Sequence, residues 1–280
     1  MRFNRGAHLD TSQVGRRRGM GVAGAGGGLG LVGLVIALLL GGNPFAGGGS
    51  NGFALDTPAS DDLAAECRTG ADAERQTDCR LVAIVNSVQA HWAGSLQGYR
   101  EAKTNLFTGG VSTGCGQASA EVGPFYCPPD EAVYLDVSFF EELQSRFGAK
   151  GGDFAEAYVI AHEYGHHVQH LLGIDEQVGG DRQGAESGGV RLELQADCFA
   201  GAWARSAEDD GFVTELSDDD IAEGLDAARV IGDDHLQQRA GGDVDPHSFT
   251  HGTSEQRQRW LTAGYTDGAD ACDTFAATAL

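Results

Sequence analysis

Four of the nine histidines of the chain lie within residues 161–170, AHEYGHHVQH. His162 and His166 are four positions apart, so in a helix their imidazoles lie on one face, about 6 Å apart along the axis. Neutral imidazole is a common zinc ligand, with nitrogen–metal distances near ~2 Å. Glu163 follows the first histidine and can reach a water molecule on the open side of such an ion. The spacing H-E-x-x-H therefore predicts a zinc-dependent hydrolase with Glu163 as the general base.

Two histidines leave a catalytic zinc site incomplete, because such sites have three protein ligands and one open position. Glu193 and Asp197, in the segment ELQAD, are again four residues apart and follow a loop long enough to fold back. We expect Glu193 to be the third ligand and Asp197 to accept the outer N–H of a ligating histidine. The opposite assignment, with Asp197 on the metal, is an alternative that the sequence leaves open. Cys198 is a further candidate ligand, although outside the cytoplasm we expect it to form a disulfide.

The remaining histidines of the cluster are not expected to bind the same ion. His170 shares the helix face, but it lies about 12 Å along the axis from His162. His167 is turned well away from that face. We therefore expect two imidazole ligands from this segment and no more.

The elements that must position these residues are mainly helices. Asp153 can cap a helix over 154–172, which carries the histidines, and the segment 190–207, which carries the acidic pair, is helical again. Short β-favouring pieces between 105 and 135, among them AVYLD, predict a few strands. The fold class is therefore α+β, dominated by helices, with a small irregular sheet.

The start of the chain has a different composition. Residues 1–18 carry five arginines and one aspartate, and residues 19–42 carry no charge. Twenty-four helical residues rise about 36 Å, enough to cross a hydrocarbon core of ~30 Å. We therefore expect a cytoplasmic basic tail (1–18), a single transmembrane anchor (19–42), a flexible stalk (43–60) and an extracytoplasmic zinc metallopeptidase domain (61–280). The alternative is a cleaved signal and a secreted protein.

Charge and cysteine content restrict the partners and the compartment. The chain has 41 acidic against 19 basic residues, a formal net charge of −22, which argues against nucleic acid as a partner. All six cysteines follow the apolar segment, and their even number favours disulfides. Six cysteines allow 15 pairings. Short loops favour Cys67–Cys79 and Cys115–Cys127, which leaves Cys198 to pair with Cys272.

Several separate motifs occur in one order: GPFYCPPD, AYVIAHEYGHHVQHLLG, LELQADCFAGAWA, FTHGTSEQR and CDTF. Together they resemble the bacterial putative neutral zinc metallopeptidase family, the YpfJ-like proteins, over residues 80–280. The resemblance implies a zincin-like domain in which His162, His166 and Glu193 hold Zn²⁺ and Glu163 is catalytic. H-E-x-x-H followed by ELQAD is also distantly similar to the gluzincin arrangement of the CAAX-prenyl and HtpX-type proteases.

By that distant similarity, His251 approaches the zinc cleft and donates a hydrogen bond to the oxyanion. The alternative for His251 is an incidental position in a helix-capping loop. Arg257, one turn into the following helix, is expected to be a structural partner of an acidic residue such as Asp197.

The predicted function is that of a membrane-anchored, outward-facing zinc metallopeptidase acting on peptide or protein substrates. A strand such as AVYLD, residues 132–136, is expected to pair with the extended substrate along a sheet edge. Two alternatives stay open: a non-catalytic, zinc-stabilised module that binds envelope components, and an amidase that acts on cell-wall peptide.

Overall fold

The structure is a computed structural model that describes residues 1–17, 61–119 and 122–280. The predicted anchor over 19–42 and the predicted stalk over 43–60 lie outside the described residues. Among the helices of the described ranges, none is both long enough and apolar enough to cross a bilayer.

The elements are numbered in chain order. The strands are β1 (Arg2–Phe3), β2 (Val14–Arg16), β3 (Lys103–Phe107), β4 (Gly110–Thr113), β5 (Gly116–Ser119), β6 (Phe125–Cys127), β7 (Ala132–Asp136) and β8 (Val213–Glu215). The helices are α1 (Asp61–Glu66), α2 (Gly70–Ala73), α3 (Thr77–Ser95), α4 (Phe139–Ser145), α5 (Asp153–Leu171), α6 (Asp175–Val178), α7 (Gly188–Ser206), α8 (Asp218–Val230), α9 (Asp233–Arg239) and α10 (Ser254–Asp267). The expected α+β class, rich in helix and with small sheets, is confirmed.

The largest sheet has four strands in the order β2-β3-β7-β6. The first three are parallel, and β6 runs antiparallel to β7 at the edge. All five residues of β7 are buried, as expected for a strand with neighbours on both sides. The segment AVYLD is therefore a strand, as predicted, but it is an interior strand. The expectation that it offers an edge to a substrate is wrong, and β6 occupies the edge instead.

The first 17 residues pack on the domain. β1 pairs antiparallel with β8, and β2 adds a parallel strand beside β3. Three arginines of this segment form ion pairs with acidic side chains of the domain: Arg2 with Glu215, Arg5 with Glu74 and Arg16 with Asp78. The sequence predicted a tail over 1–18 separate from the domain. In the structure residues 1–17 are part of it, because two of their strands pair with strands of the domain and three of their arginines pair with its acidic side chains.

Helices α5, α7 and α10 form the core that carries the predicted site. Glycines allow their backbones to approach closely: a Cβ on Gly165 of α5 would lie 2.9 Å from the Cα atom of Ala196 on α7. A Cβ on Gly264 of α10 would lie 1.8 Å from the carbonyl oxygen of Cys198. This close packing brings the acidic residues of α7 next to the histidines of α5.

Three disulfides tie the domain together, and all six cysteines take part. They join Cys67 to Cys79, Cys115 to Cys127 and Cys198 to Cys272, which confirms the predicted pairs. The third links α7 to the segment after α10 and removes Cys198 from the candidate metal ligands.

Candidate metal centre

Two helices supply the side chains of the candidate metal centre. His162, Glu163 and His166 lie on α5, and Glu193 lies on α7. One ligand-type atom from each of His162, His166 and Glu193 can be chosen so that all three atoms lie within 4.8 Å of one another. The Nε2 atoms of the two histidines are 3.3 and 3.6 Å from the Glu193 carboxylate oxygens. Two imidazoles and one carboxylate form a donor set that suits zinc and leaves a position open.

Both imidazoles are oriented by hydrogen bonds at their other nitrogen. The Nδ1 atom of His162 lies 2.8 Å from Oδ1 of Asp197, and that of His166 lies 2.8 Å from Oε1 of Gln169. Both partners are acceptors, so the proton of each neutral imidazole is assigned to Nδ1. The Nε2 lone pairs are then available to a metal ion on the side of Glu193. Asp197 lies behind His162, and Glu193 lies with the histidines.

Asp197 is held in a buried network. Arg257 donates from Nε to Oδ2 at 2.9 Å and from Nη2 to Oδ1 at 3.0 Å, and the Tyr158 hydroxyl donates to Oδ1 at 2.6 Å. Burial favours the neutral carboxyl, but Arg257 and His162 hold the pKa of Asp197 below its ordinary value. Asp197 therefore stays ionised and keeps the proton of His162 on Nδ1. The expected partnership of Arg257 with Asp197 is present.

Glu163 lies beside the ligand group with only 8% of its surface exposed. Burial raises the pKa of Glu163 above its ordinary value, and the neighbouring His166 and His162 oppose this only in part. The backbone N–H of Tyr126, on the edge strand β6, also lowers this pKa, by less than the two histidines do. A carboxylate with a raised pKa at an open metal position is suited to take up a proton and release it again.

His251 lines the same cleft from the loop before α10. Its Nδ1 atom lies 2.9 Å from the Thr250 hydroxyl and 3.3 Å from Oδ1 of Asp233. Burial lowers the pKa of His251, but the negative charges of Glu193 and Asp233 outweigh this and raise it. The structure thus brings His251, which is far from α5 in sequence, to the metal centre.

The cleft around these residues has a volume of about 640 Å³. One group of lining residues is apolar and comes from α4, α5, α9 and adjoining loops: Phe139, Phe147, Val159, Ile231 and Leu236. Val159 lies on α5, one turn before Glu163. Polar and charged side chains, including Gln169, Asp175 and Arg182, line other parts of the cleft.

The two neighbouring histidines of the cluster have other partners. The Nε2 atom of His167 lies 2.6 Å from the carbonyl oxygen of Arg100, and its Nδ1 lies 3.0 Å from the Tyr126 hydroxyl. His170 contacts Asp175 through Nδ1 at 2.8 Å. Neither belongs to the ligand group, as expected from their positions on the helix.

Three residues of the site were not predicted. Tyr158 and Gln169 lie on α5, four residues before His162 and three after His166. The helical spacing that led to the histidines could have found both. Asp233 has no such signal, because it contacts His251 only through the packing of α9 against the loop before α10.

Two imidazoles and a carboxylate that can bind one metal ion, beside a second, buried carboxylate in an open cleft, are typical of zinc-dependent metallopeptidases. The chain belongs to the family described as "Putative neutral zinc metallopeptidase", whose model matches residues 4–275. Membership of this family implies Zn²⁺ as the cofactor. The distant similarity to CAAX-prenyl and HtpX-type proteases stays a prediction.

Relatives of the chain are found in Mycobacterium and in Escherichia coli. The chain is 50% identical over 257 residues to a protein of Mycobacterium tuberculosis and to one of Mycobacterium bovis, both named uncharacterised. Each alignment covers 87% of this chain and 86% of the relative. The uncharacterised protein YpfJ of Escherichia coli K12 is 49% identical over 183 residues, which cover 63% of this chain and 62% of YpfJ. Comparison with solved structures finds no match.

Proposed function

We propose that the protein hydrolyses peptide bonds in the cleft above α5, with Zn²⁺ held by His162, His166 and Glu193 and with Glu163 as the general base. The observation that carries this proposal is the joint position of three zinc-type donors within 4.8 Å and of a buried carboxylate beside them. A purely structural zinc site would be closed by a fourth protein ligand and would need no base. The cleft is open and Glu163 is intact, so an enzyme is favoured over a non-catalytic module.

The residues of the site have distinct tasks in this reaction. Zinc, when bound, polarises the scissile carbonyl and makes water a stronger nucleophile. Glu163 accepts the proton of the attacking water and later delivers it to the leaving amine, for which its raised pKa is favourable. His251 donates a hydrogen bond to the oxygen on which negative charge develops.

The lining of the cleft supports a peptide substrate with a large apolar side chain next to the scissile bond. An extended chain lying beside the edge strand β6 would pass Glu163, because Tyr126 of that strand lines the same cleft as Glu163. The apolar group around Val159 and Leu236 would then accept a leucine-sized or phenylalanine-sized side chain.

The test is digestion of a diverse peptide library by the full-length, zinc-loaded protein in detergent, with the cuts identified by mass spectrometry. The full chain is needed because residues 1–17 are part of the folded domain. We expect cuts beside Leu, Phe or Met, and a loss of about 10²-fold in kcat/KM when a charged residue replaces the apolar one, since burying an unpaired charge is costly. Cleavage of cell-wall peptide amides alone would favour the amidase alternative. Tight zinc binding without any cleavage would favour the non-catalytic module.

We further propose that residues 1–17 and the domain 61–280 lie on the same side of the membrane, outside the cytoplasm. Three disulfides are typical of proteins in oxidising compartments. The pairing of β2 with β3 and of β1 with β8 favours one compartment for both segments. A helix spanning the bilayer over 19–42 would put them on opposite sides, and a cleavage between 41 and 60 would detach two strands. Attachment to the membrane through 19–42 stays a prediction.

Thiol labelling of intact cells tests this topology. The native cysteines are all paired, so single Ser12→Cys and Asp209→Cys variants each offer one free thiol at an exposed position. We expect a membrane-impermeant maleimide to label both variants equally. Labelling of Asp209→Cys alone would support the single-pass arrangement with the N-terminus inside, and labelling of neither would locate the domain in the cytoplasm.

A further inference from the structure

Asp233, the first residue of α9, is almost fully buried, with 1% of its surface exposed. Its Oδ2 atom accepts three backbone hydrogen bonds, from the N–H groups of Thr250, His251 and Gly252, at 2.7, 2.7 and 3.0 Å. In return, the N–H of Asp233 donates to the carbonyl oxygen of Gly252 at 2.9 Å. One carboxylate thus fixes three consecutive residues of the loop that brings His251 to the cleft.

The second oxygen of the same carboxylate acts on the side chain of His251. Oδ1 of Asp233 lies 3.3 Å from Nδ1 of His251, and the Thr250 hydroxyl lies 2.9 Å from the same nitrogen. An ionised carboxylate can only accept, so it favours the proton on Nδ1. Burial raises the pKa of Asp233. The hydrogen bond to His251, the charge of His251 and the backbone hydrogen bonds outweigh this, so the pKa of Asp233 lies below its ordinary value.

This arrangement leaves Nε2 as the nitrogen that His251 can offer to the cleft. With Nδ1 already protonated, Nε2 can donate a hydrogen bond when the imidazole is a cation. The charged groups that act on the imidazole are Glu193 from α7, Asp233 from α9 and Arg257 from α10. Asp233 is the carboxylate in contact with Nδ1, and it favours the cationic form, whereas Arg257 opposes it.

We propose that Asp233 is a positioning residue of the active site, which fixes the loop 250–252 and the proton on Nδ1 of His251 so that Nε2 of His251 acts on the oxyanion. This inference rests on the proposed function. In this proposal Asp233 affects catalysis only through His251. Its effect on catalysis can therefore be distinguished from an effect on folding.

A double-mutant cycle tests the inference. Asn at position 233 must turn its oxygen toward the three backbone N–H groups, so its amide N–H₂ faces His251 and reverses the hydrogen bond. Asp233→Asn leaves Nε2 a donor but removes the negative charge that favours the doubly protonated imidazole, so we expect it to lower kcat about 10-fold to 100-fold with little change in KM. His251→Ala removes the donor itself and should lower kcat about 100-fold. The double variant should be no slower than His251→Ala. Multiplicative effects would show that Asp233 acts independently of His251 and would overturn the inference.

The neighbouring Asp234 provides a matched control. Its Oδ1 atom accepts hydrogen bonds from the backbone N–H and the hydroxyl of Ser254, at 2.7 and 2.8 Å, and so anchors the start of α10. The structure shows no hydrogen bond between Asp234 and His251. Asp234→Asn should therefore keep kcat near the wild-type value. An equal loss of kcat in both variants would point to a general effect on the loop and would count against the proposal.

A spectroscopic measurement separates this inference from the proposed function. Nitrogen-15 correlations of the imidazole in the neutral form, assigned with His251→Ala, should show the proton of His251 on Nδ1 in the wild type and on Nε2 in Asp233→Asn. If the variant does not fold, the wild-type spectrum by itself tests the position of the proton. A proton on Nε2 in the neutral wild-type imidazole would overturn the role of Asp233, even if peptide hydrolysis is observed. Absence of hydrolysis with the proton on Nδ1 would instead count against the proposed function.

Discussion

Glu163→Gln is expected to lower kcat by about 10³-fold or more while zinc remains bound and the fold is unchanged. The amide is nearly the same size as the carboxylate, but it cannot accept the proton of water. General acid–base catalysis contributes about 10²–10⁴-fold, and the same side chain here serves both proton transfers. The measurement is the steady-state rate on a peptide identified in the library, together with zinc content by atomic absorption.

Glu176→Gln is the matched control for this variant. Glu176 also lines the cleft, but it is exposed and does not belong to the ligand group. The same chemical change at this position should leave kcat within a few-fold of the wild type. Activity of Glu163→Gln at the level of this control would remove Glu163 from the mechanism.

The core of the site was predictable because it depends on local helix geometry. The residues of H-E-x-x-H share one helix, so their relative positions follow from its 3.6-residue period. Glu193 and Asp197 repeat the same spacing on a second helix. The sequence left their roles open because it gives no information on which turn of α7 faces His166. The close approach of Gly165 to Ala196 determines that in the structure.

The sheet was predictable only in part. AVYLD is a continuous run of five residues with four apolar side chains. This pattern is typical of an interior parallel strand and does not favour an edge strand. The strands β1 and β2 have two and three residues, too few to show any periodicity. Their positions depend on partners around residues 213 and 104, and the arginine content of this segment suggested a membrane signal instead.

Asp233 shows the limit of sequence analysis for the site itself. The dipeptide Asp233-Asp234 at a helix start is consistent with ordinary stabilisation of the helix N-terminus. In the structure Asp233 contacts the loop 250–252, and Asp234 contacts Ser254. Both partners approach α9 only in the folded chain. A contact between residues 18 positions apart leaves no local pattern in the sequence.

Glu193→Ala and Asp197→Ala should show opposite patterns in zinc affinity and in stability. Loss of a hydrogen-bond partner of a metal ligand typically costs about 10–100-fold in affinity, so we expect that range for Asp197→Ala and a larger loss for Glu193→Ala. Removing Asp197 also leaves the buried Arg257 without its ion pair, which should lower the free energy of unfolding by about 3–5 kcal/mol. Glu193 contacts the Nε2 atoms of His162 and His166, at 3.3 and 3.6 Å. Unlike Arg257, an imidazole can release its proton when its partner is removed, so Glu193→Ala should lower the stability of the metal-free protein less than Asp197→Ala does.

Two measurements on each variant suffice to read this pattern. Zinc affinity is obtained by competition with a chromophoric chelator, and stability by urea unfolding of the metal-free protein with the disulfides intact. Asp197→Asn serves as the conservative comparison, because its amide oxygen can still accept a hydrogen bond from His162 while the charge opposite Arg257 is lost. Zinc lost from the Asp197 variants but retained by Glu193→Ala would mean that the two acidic residues have exchanged roles and that the ligand assignment is wrong. Loss of stability confined to Glu193→Ala would contradict the role assigned to the network of Asp197, Arg257 and Tyr158, whose buried contacts require the carboxylate at 197.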